Sequence, residues 1–217
     1  MALVTLYHGS TKVVQAPTLE QGRPRNDYGR GFYCTQDAEL GREWACFDPD
    51  KDGFLNKYQL DTDGLVIQRL DASDLTALNW MAVLLEHRRL LRVRPLQEDL
   101  RCAFVSKYRV DLGAADVVIG PRADDTYTDY ARMFLQGLIT DLQLEKALEL
   151  GGLGLQTVLK SKKAFKRLTF MDVERVSCAT YGYSRAMRDR AATEAFHELV
   201  SSGWGKEGRT INQLVGE

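Results

Sequence analysis

Phe54-Leu55-Asn56-Lys57-Tyr58-Gln59-Leu60, then Asp61-Thr62-Asp63-Gly64, then Leu65-Val66-Ile67-Gln68-Arg69-Leu70: the outer runs are rich in aromatic and apolar residues. The four between them tolerate the left-handed backbone of a tight reversal, so the stretch reads as two strands joined as a hairpin. Working toward the N-terminus, Asp48–Gly53 is a turn and Asp37–Phe47 has helical composition. Gly31–Thr35 is a short strand, and residues 11–27, polar and holding Pro17 and Pro24, are a loop. Leu3–Tyr7 is a buried strand that ends in the turn signal His8-Gly9-Ser10.

Toward the C-terminus, Asp71-Ala72-Ser73-Asp74 offers N-caps for a helix running to about Leu91, and a weaker helix spans Leu96–Val105. Asp116–Pro121 is an apolar strand, and residues 126–150 hold one or two helices ended by Gly151-Gly152. Leu155–Leu159 (strand), Lys162–Leu168 (short helix), Phe170–Cys178 (strand) and Arg185–Val200 (helix) follow. The Gly-rich tail, 203–217, is expected to fray. Strands and helices mix without strict β-α-β alternation and no linker divides them. The expectation is an α+β fold and a single domain over residues 1–217.

The 217 residues are 44% hydrophobic and 27% charged, an ordinary globular composition. With a net charge of −1 there is no global pull toward nucleic acid or membrane. Two local basic runs, His87/Arg88/Arg89/Arg92/Arg94 and Lys160/Lys162/Lys163/Lys166/Arg167, suit solvated helix faces or a phosphate-facing surface. Cys34, Cys46, Cys102 and Cys178 form no Cys-x-x-Cys pair and sit among apolar neighbours, as small buried hydrophobes do, so no metal site is expected. There is neither a signal-peptide pattern nor a run of about 18 apolar residues, which points to the cytoplasm and no membrane span.

Three stretches carry side chains suited to a site. In Tyr7-His8-Gly9-Ser10 the ring N–H of His8 can reach a ribose hydroxyl and the bare Gly9 backbone a planar amide; a buried, hydrogen-bonded histidine fits the same pattern. In Asp27-Tyr28-Gly29-Arg30-Gly31-Phe32-Tyr33-Cys34-Thr35, Arg30 can pair with a phosphate, while Tyr33 and the later Trp44 offer faces for a flat ring. A bulged strand packed on a helix would look the same. Ile119-Gly120-Pro121-Arg122-Ala123-Asp124-Asp125 empties into an acidic pair, either a helix cap or carboxylates at the mouth of a site.

Taken in order, these stretches, with Trp44-Ala45, Leu155-Gln156 and Lys163-Ala164-Phe165, are similar to the His-Tyr-Glu (diphtheria-toxin and PARP-like) ADP-ribosyltransferases. More closely, the chain resembles a bacterial domain-of-unknown-function family of that superfamily, often encoded beside a small antitoxin-like partner. The resemblance spans roughly residues 3–170. It implies a split β-sheet sandwich flanked by helices and NAD+ as co-substrate. His8 would hold a ribose, Gly9 the nicotinamide amide, and Tyr33 and Trp44 would sandwich the nicotinamide ring. Ser10 and Gly31 would complete the binding motifs, and Arg30, or Arg23 and Arg25, would meet the pyrophosphate. Gln156 stands where active relatives place a catalytic Glu, with Asp124 and Asp125 as candidate replacement carboxylates. The implied activity is ADP-ribosyl transfer to a protein or nucleic acid, in a toxin–antitoxin or phage-defence pair. Two rivals follow from the residues: an NAD+- or ADP-ribose-binding module weakened by Gln156, and an RNA-binding or RNA-modifying protein using the basic runs.

Overall fold

The computed structural model describes residues 2–48, 51–88, 95–123, 125–150 and 154–216. In chain order, the first half holds β1 (Leu3–Ser10), β2 (Phe32–Cys34), α1 (Ala38–Ala45), β3 (Gly53–Asp61), β4 (Ile67–Arg69), α2 (Ala77–His87) and α3 (Pro95–Tyr108). The second holds β5 (Val117–Pro121), α4 (Asp125–Leu135), α5 (Asp141–Leu150), β6 (Leu155–Leu159), α6 (Lys162–Lys166), β7 (Leu168–Val176), α7 (Cys178–Ser202) and α8 (Ile211–Gly216). Strands and helices are interspersed, so the fold is α+β as expected.

The strands form two sheets. One is antiparallel throughout, in the order β1-β3-β7; the other runs β2-β6-β5-β4, with only the β4–β5 pair parallel. A single bridge joins them: Tyr7 N–H donates to the Thr35 carbonyl (2.7 Å) and Thr35 N–H to the Tyr7 carbonyl (2.9 Å). Beyond that bridge the sheets part, and the gap is a cleft. The apolar run Val117–Gly120 is buried in the second sheet, as a strand covered on both faces should be.

The hairpin expected at 54–70 does not form. The turn itself is present, with Gly64 at φ 67° and Leu65 N–H on the Thr62 carbonyl at 3.1 Å, but the second run leaves for the other sheet. Both edges of β3 are already taken, by β1 over eight residue pairs and by β7 over eight. Asp116 then captures the departing chain: its Oδ2 accepts Val66 N–H (2.9 Å) and its own N–H donates to the Val66 carbonyl (2.8 Å). A turn sequence reverses the chain; competition among edges chooses the partner.

Other boundaries shift for local reasons. β1 continues through His8-Gly9-Ser10, which pair with Asn56-Leu55-Phe54 instead of turning. α2 starts at Ala77, not at 71–74, because Asn79 Oδ1 accepts the Thr76 N–H at 2.9 Å. It is buried almost all round, from Leu78 to Leu85, and centres the larger core with Trp80, Phe104 and Phe134. α7 begins seven residues before the expected Arg185, at Cys178. The tail does not fray: α8 buries Ile211 and Leu214 in that core. Of the cysteines, Cys102 is exposed, against expectation, while the other three are buried.

Part of the second basic run is engaged within the fold, while Lys162 and Lys166 are exposed. Lys160 Nζ donates to the Tyr28 carbonyl, Lys163 pairs with Asp116 (3.3 Å) and Arg167 with Asp61 (2.6 Å). Arg89, Arg92 and Arg94 lie outside the described residues. Among the described residues no helix is long and apolar enough to cross a membrane, and no three His, Cys, Asp or Glu side chains stand together as a metal site requires.

Candidate functional site

Where the sheets part, the cleft has two lobes, of about 510 and 240 Å³, that share His8, Gly9, Asn26, Tyr33 and Trp44. Ligand pockets commonly fall at about 300–1,000 Å³, so the two together can take an extended molecule. Lys12 and Arg23 line the wide lobe; Asp27, Arg88, Arg122 and Gln156 line the small one. The wide lobe's wall is fixed by buried Asn56. Its Nδ2 donates to the His8 carbonyl (3.1 Å) and its Oδ1 accepts Val14 N–H (2.8 Å), stapling the 11–14 loop to β1.

His8 reaches the cleft from β1, with its ring packed on Phe32 at a centroid distance of 4.4 Å. Its Nδ1 lies 2.7 Å from the Tyr33 carbonyl, which can only accept, so Nδ1 carries the proton. Burial holds the ring's pKa below its ordinary value, keeping the imidazole neutral at pH 7. Nε2 is therefore an acceptor. The expectation that His8 donates to a ribose hydroxyl is corrected: its one N–H is spent on Tyr33, and toward a ligand it accepts.

That neutral state sets a pH dependence. Because the folded pKa lies below the unfolded value of about 6.5, the unfolded chain binds the proton first, and stability falls as pH drops below about 6.5. Between pH 7 and pH 5 the unfolding midpoint of the wild type should drop further than that of His8→Gln. Equal drops would rule out His8 as the source; His87, also depressed by burial, is unchanged in both proteins.

Tyr33 presents its ring to both lobes, but its hydroxyl is spoken for. It donates to the Gly29 carbonyl (2.7 Å) and accepts Tyr28 N–H (3.0 Å), and burial pushes its pKa well up. The hydroxyl is thus no acid–base group, and Tyr33 contributes a fixed aromatic face. Trp44, from α1, carries the Arg122 guanidinium 4.4 Å from its ring centroid, so a cation already covers part of that ring.

Gly9 serves packing and access together. A Cβ there would sit 2.1 Å from the Gly41 carbonyl oxygen, so α1 lies directly on it. Because Tyr7 turns its peptide groups to Thr35, strand alternation turns those of Gly9 to the same side, into the cleft. Gly31 is also a close approach, since a Cβ would fall 2.5 Å from Val158 Cγ1. Ser10 lines the wide lobe, with its hydroxyl donating to the Lys12 carbonyl at 2.5 Å.

Arg30 is not in the cleft. It is exposed in the bend that precedes β2, and its guanidinium donates to the Glu20 carbonyl (3.1 Å). Of the arginines considered for a phosphate, Arg23 lines the wide lobe; Arg25 does not line either lobe.

Gln156, on β6, lines the small lobe although only 2% exposed. Its Nε2 donates to Asp27 Oδ2 (2.8 Å) and to the Pro121 carbonyl (3.2 Å). Both neighbours only accept, which fixes the amide's orientation and leaves Oε1 for the cleft. Asp27 is the functional candidate that sequence reasoning passed over. It is 4% exposed, its Oδ2 also accepts Ala123 N–H (3.0 Å), and Arg88 Nε lies 2.7 Å from Oδ1. That contact is an ion pair without hydrogen-bond alignment, so Oδ1 has no aligned donor. The only available signal was a carboxylate opening the Asp27–Thr35 motif. Asp124 lies outside the described residues; Asp125 opens α4, and its side chain lies outside them too.

A family model described as "Protein of unknown function (DUF3990)" matches residues 4–170, a span that includes every residue lining the two lobes. No curated protein and no solved structure matches the chain.

Proposed function

The chain belongs to the DUF3990 family, and we propose, from the side chains that its cleft brings together, that it is an NAD+-dependent ADP-ribosyltransferase. The carrying observation is convergence. His8 and Gly9 from β1, Tyr33 from β2, Trp44 from α1 and Gln156 from β6 all line one two-lobed cleft at the split between two sheets.

In this reading the small lobe takes the nicotinamide and its ribose. The Gly9 peptide groups pair with the carboxamide, the Tyr33 and Trp44 rings flank the nicotinamide, and His8 Nε2 accepts a ribose hydroxyl. The wide lobe takes the pyrophosphate and adenosine, with Lys12 and Arg23 as its cations. The bond between the nicotinamide nitrogen and ribose C1′ breaks, and its electron pair neutralises the charged ring as nicotinamide leaves. The acceptor nucleophile bonds to C1′ from the opposite face and releases its proton to solvent. No nucleophilic Ser or Cys of the protein is required. A macromolecular acceptor, protein or nucleic acid, and a small antitoxin partner belong to the same proposal, as the toxin half of a defence pair.

The replacement of a carboxylate by Gln156 favours one alternative, an NAD+- or ADP-ribose-binding module with weak turnover. The RNA-binding alternative draws less support, because Lys160, Lys163 and Arg167 are engaged within the fold.

Incubation with NAD+ should release nicotinamide. His8→Ala and Trp44→Ala should each lower kcat/KM by about tenfold to a hundredfold, the worth of one or two contacts in a water-poor site. Binding without release, dependent on the same residues, selects the binding module. Neither binding nor release overturns the proposal.

A further inference from the structure

We infer that Asp27 is a positioning residue for the bond-breaking step: it holds the Gln156 amide with Oε1 toward the ribose and polarises that oxygen, which faces C1′. The inference rests on the transferase reading above.

Three observations carry it. Gln156 Nε2 is committed to Asp27 Oδ2 and the Pro121 carbonyl, so a single polar atom of that side chain remains for a ligand. Asp27 is almost wholly buried yet lines the small lobe, and its Oδ1 lacks an aligned hydrogen-bond donor. A carboxylate in such a wall carries a desolvation cost that an amide or an alkyl group would avoid, so its presence needs an explanation other than stability. Finally, the carboxylate is braced from independent directions, by Ala123 N–H on Oδ2 and by Arg88 beside Oδ1.

An amide that donates its N–H to a carboxylate is polarised, and its oxygen becomes the more negative end. Gln156 by itself offers only a dipole to a ribose carbon gaining positive charge. Backed by Asp27, which is itself paired with Arg88, the amide presents a more strongly polarised oxygen at the same point. The Pro121 carbonyl serves as a second anchor. It also accepts from Trp80 Nε1 (3.1 Å) and from the Tyr28 hydroxyl, which keeps that anchor from rotating.

The test is a double-substitution cycle of Asp27→Asn and Gln156→Met in the full chain, with kcat, KM and NAD+ affinity measured for wild type, both singles and the double. Asp27→Asn should lose about 100-fold in kcat, the typical worth of one preorganised electrostatic group, while NAD+ affinity changes less than about threefold. Gln156→Met keeps the length of the side chain and removes the oxygen that Asp27 polarises, so kcat should fall to a similar extent. Because both substitutions remove the same device, the double variant should be no slower than the slower single by more than about threefold.

An active wild type whose Asp27→Asn variant keeps its kcat, or a double variant whose loss is the product of the two single losses, overturns this inference alone. Should Asp27→Asn fail to fold, Gln156→Met carries the test, and a Gln156→Met protein with the kcat of wild type overturns the inference. A wild type that neither binds nor cleaves NAD+ overturns the transferase reading, and this inference with it.

Discussion

Deletion of residues 203–217 should lower the unfolding midpoint by at least about 10 °C. Ile211 and Leu214 have no exposed surface and pack in the cluster that holds Trp80, Phe104 and Phe134. Burying each such side chain contributes about 1.5–3 kcal/mol, so the two contribute about 3–6 kcal/mol. The deletion also strips partners from groups that stay behind. Thr140 Oγ1 donates to the Gly205 carbonyl (2.6 Å), Gln143 Nε2 to that of Trp204 (2.8 Å) and Lys107 Nζ to that of Leu214 (2.8 Å). Thr140 and Gln143 are buried, and orphaning each costs about 1–3 kcal/mol. Against a total stability of about 5–15 kcal/mol this is a large share, and each kcal/mol shifts the midpoint of a domain this size by about 2–4 °C. Thermal denaturation followed by circular dichroism reads the outcome, and a drop under about 3 °C would show the tail to be an ornament. Leu214→Ala is the milder form, expected to cost about 2–5 kcal/mol.

Gly9→Ala should be nearly as damaging and should also empty the cleft. The added carbon would lie 2.1 Å from the Gly41 oxygen, 2.4 Å from the Ala45 nitrogen and 2.8 Å from the Trp44 carbonyl carbon. All three are backbone atoms, so no side chain can rotate away and α1 must move as a body. Overpacking a well-filled interior costs about 1–3 kcal/mol, and a backbone collision belongs at the upper end. Because α1 carries Trp44, its displacement takes one wall from both lobes. The expected result is a midpoint lowered by roughly 6–12 °C, together with, under the proposed transferase function, loss of NAD+ affinity beyond about tenfold. Gly216→Ala, where an added carbon meets nothing within 4 Å, is the control and should stay within about 1 kcal/mol of wild type. A Gly9→Ala protein as stable as that control would mean that β1 and α1 are not in contact as described.

What the sequence determined by itself is local. The apolar run at 117–120, the N-cap Asp37 before α1 (its Oδ1 accepts Glu39 N–H at 2.8 Å) and the turn at Gly64 follow from side chains within a few residues of one another, and each stands where those side chains put it. The α+β class follows from their sum. His8, Gly9, Tyr33 and Trp44 stood out by their chemistry and Gln156 only through the resemblance to a transferase family, and all five do line one cleft. Tertiary structure decided the rest. It sent Ile67–Arg69 to the second sheet, because β1 and β7 already occupied both edges of β3. It turned Arg30 outward, gave Asp27 to Gln156 across 129 positions of chain, and buried Leu214 beneath a helix that donates to it across 107. Propensity and periodicity act over a turn or two of chain. Strand partnership and the pairing of buried polar groups are settled by which distant groups leave the fewest donors and acceptors unmet when water is excluded.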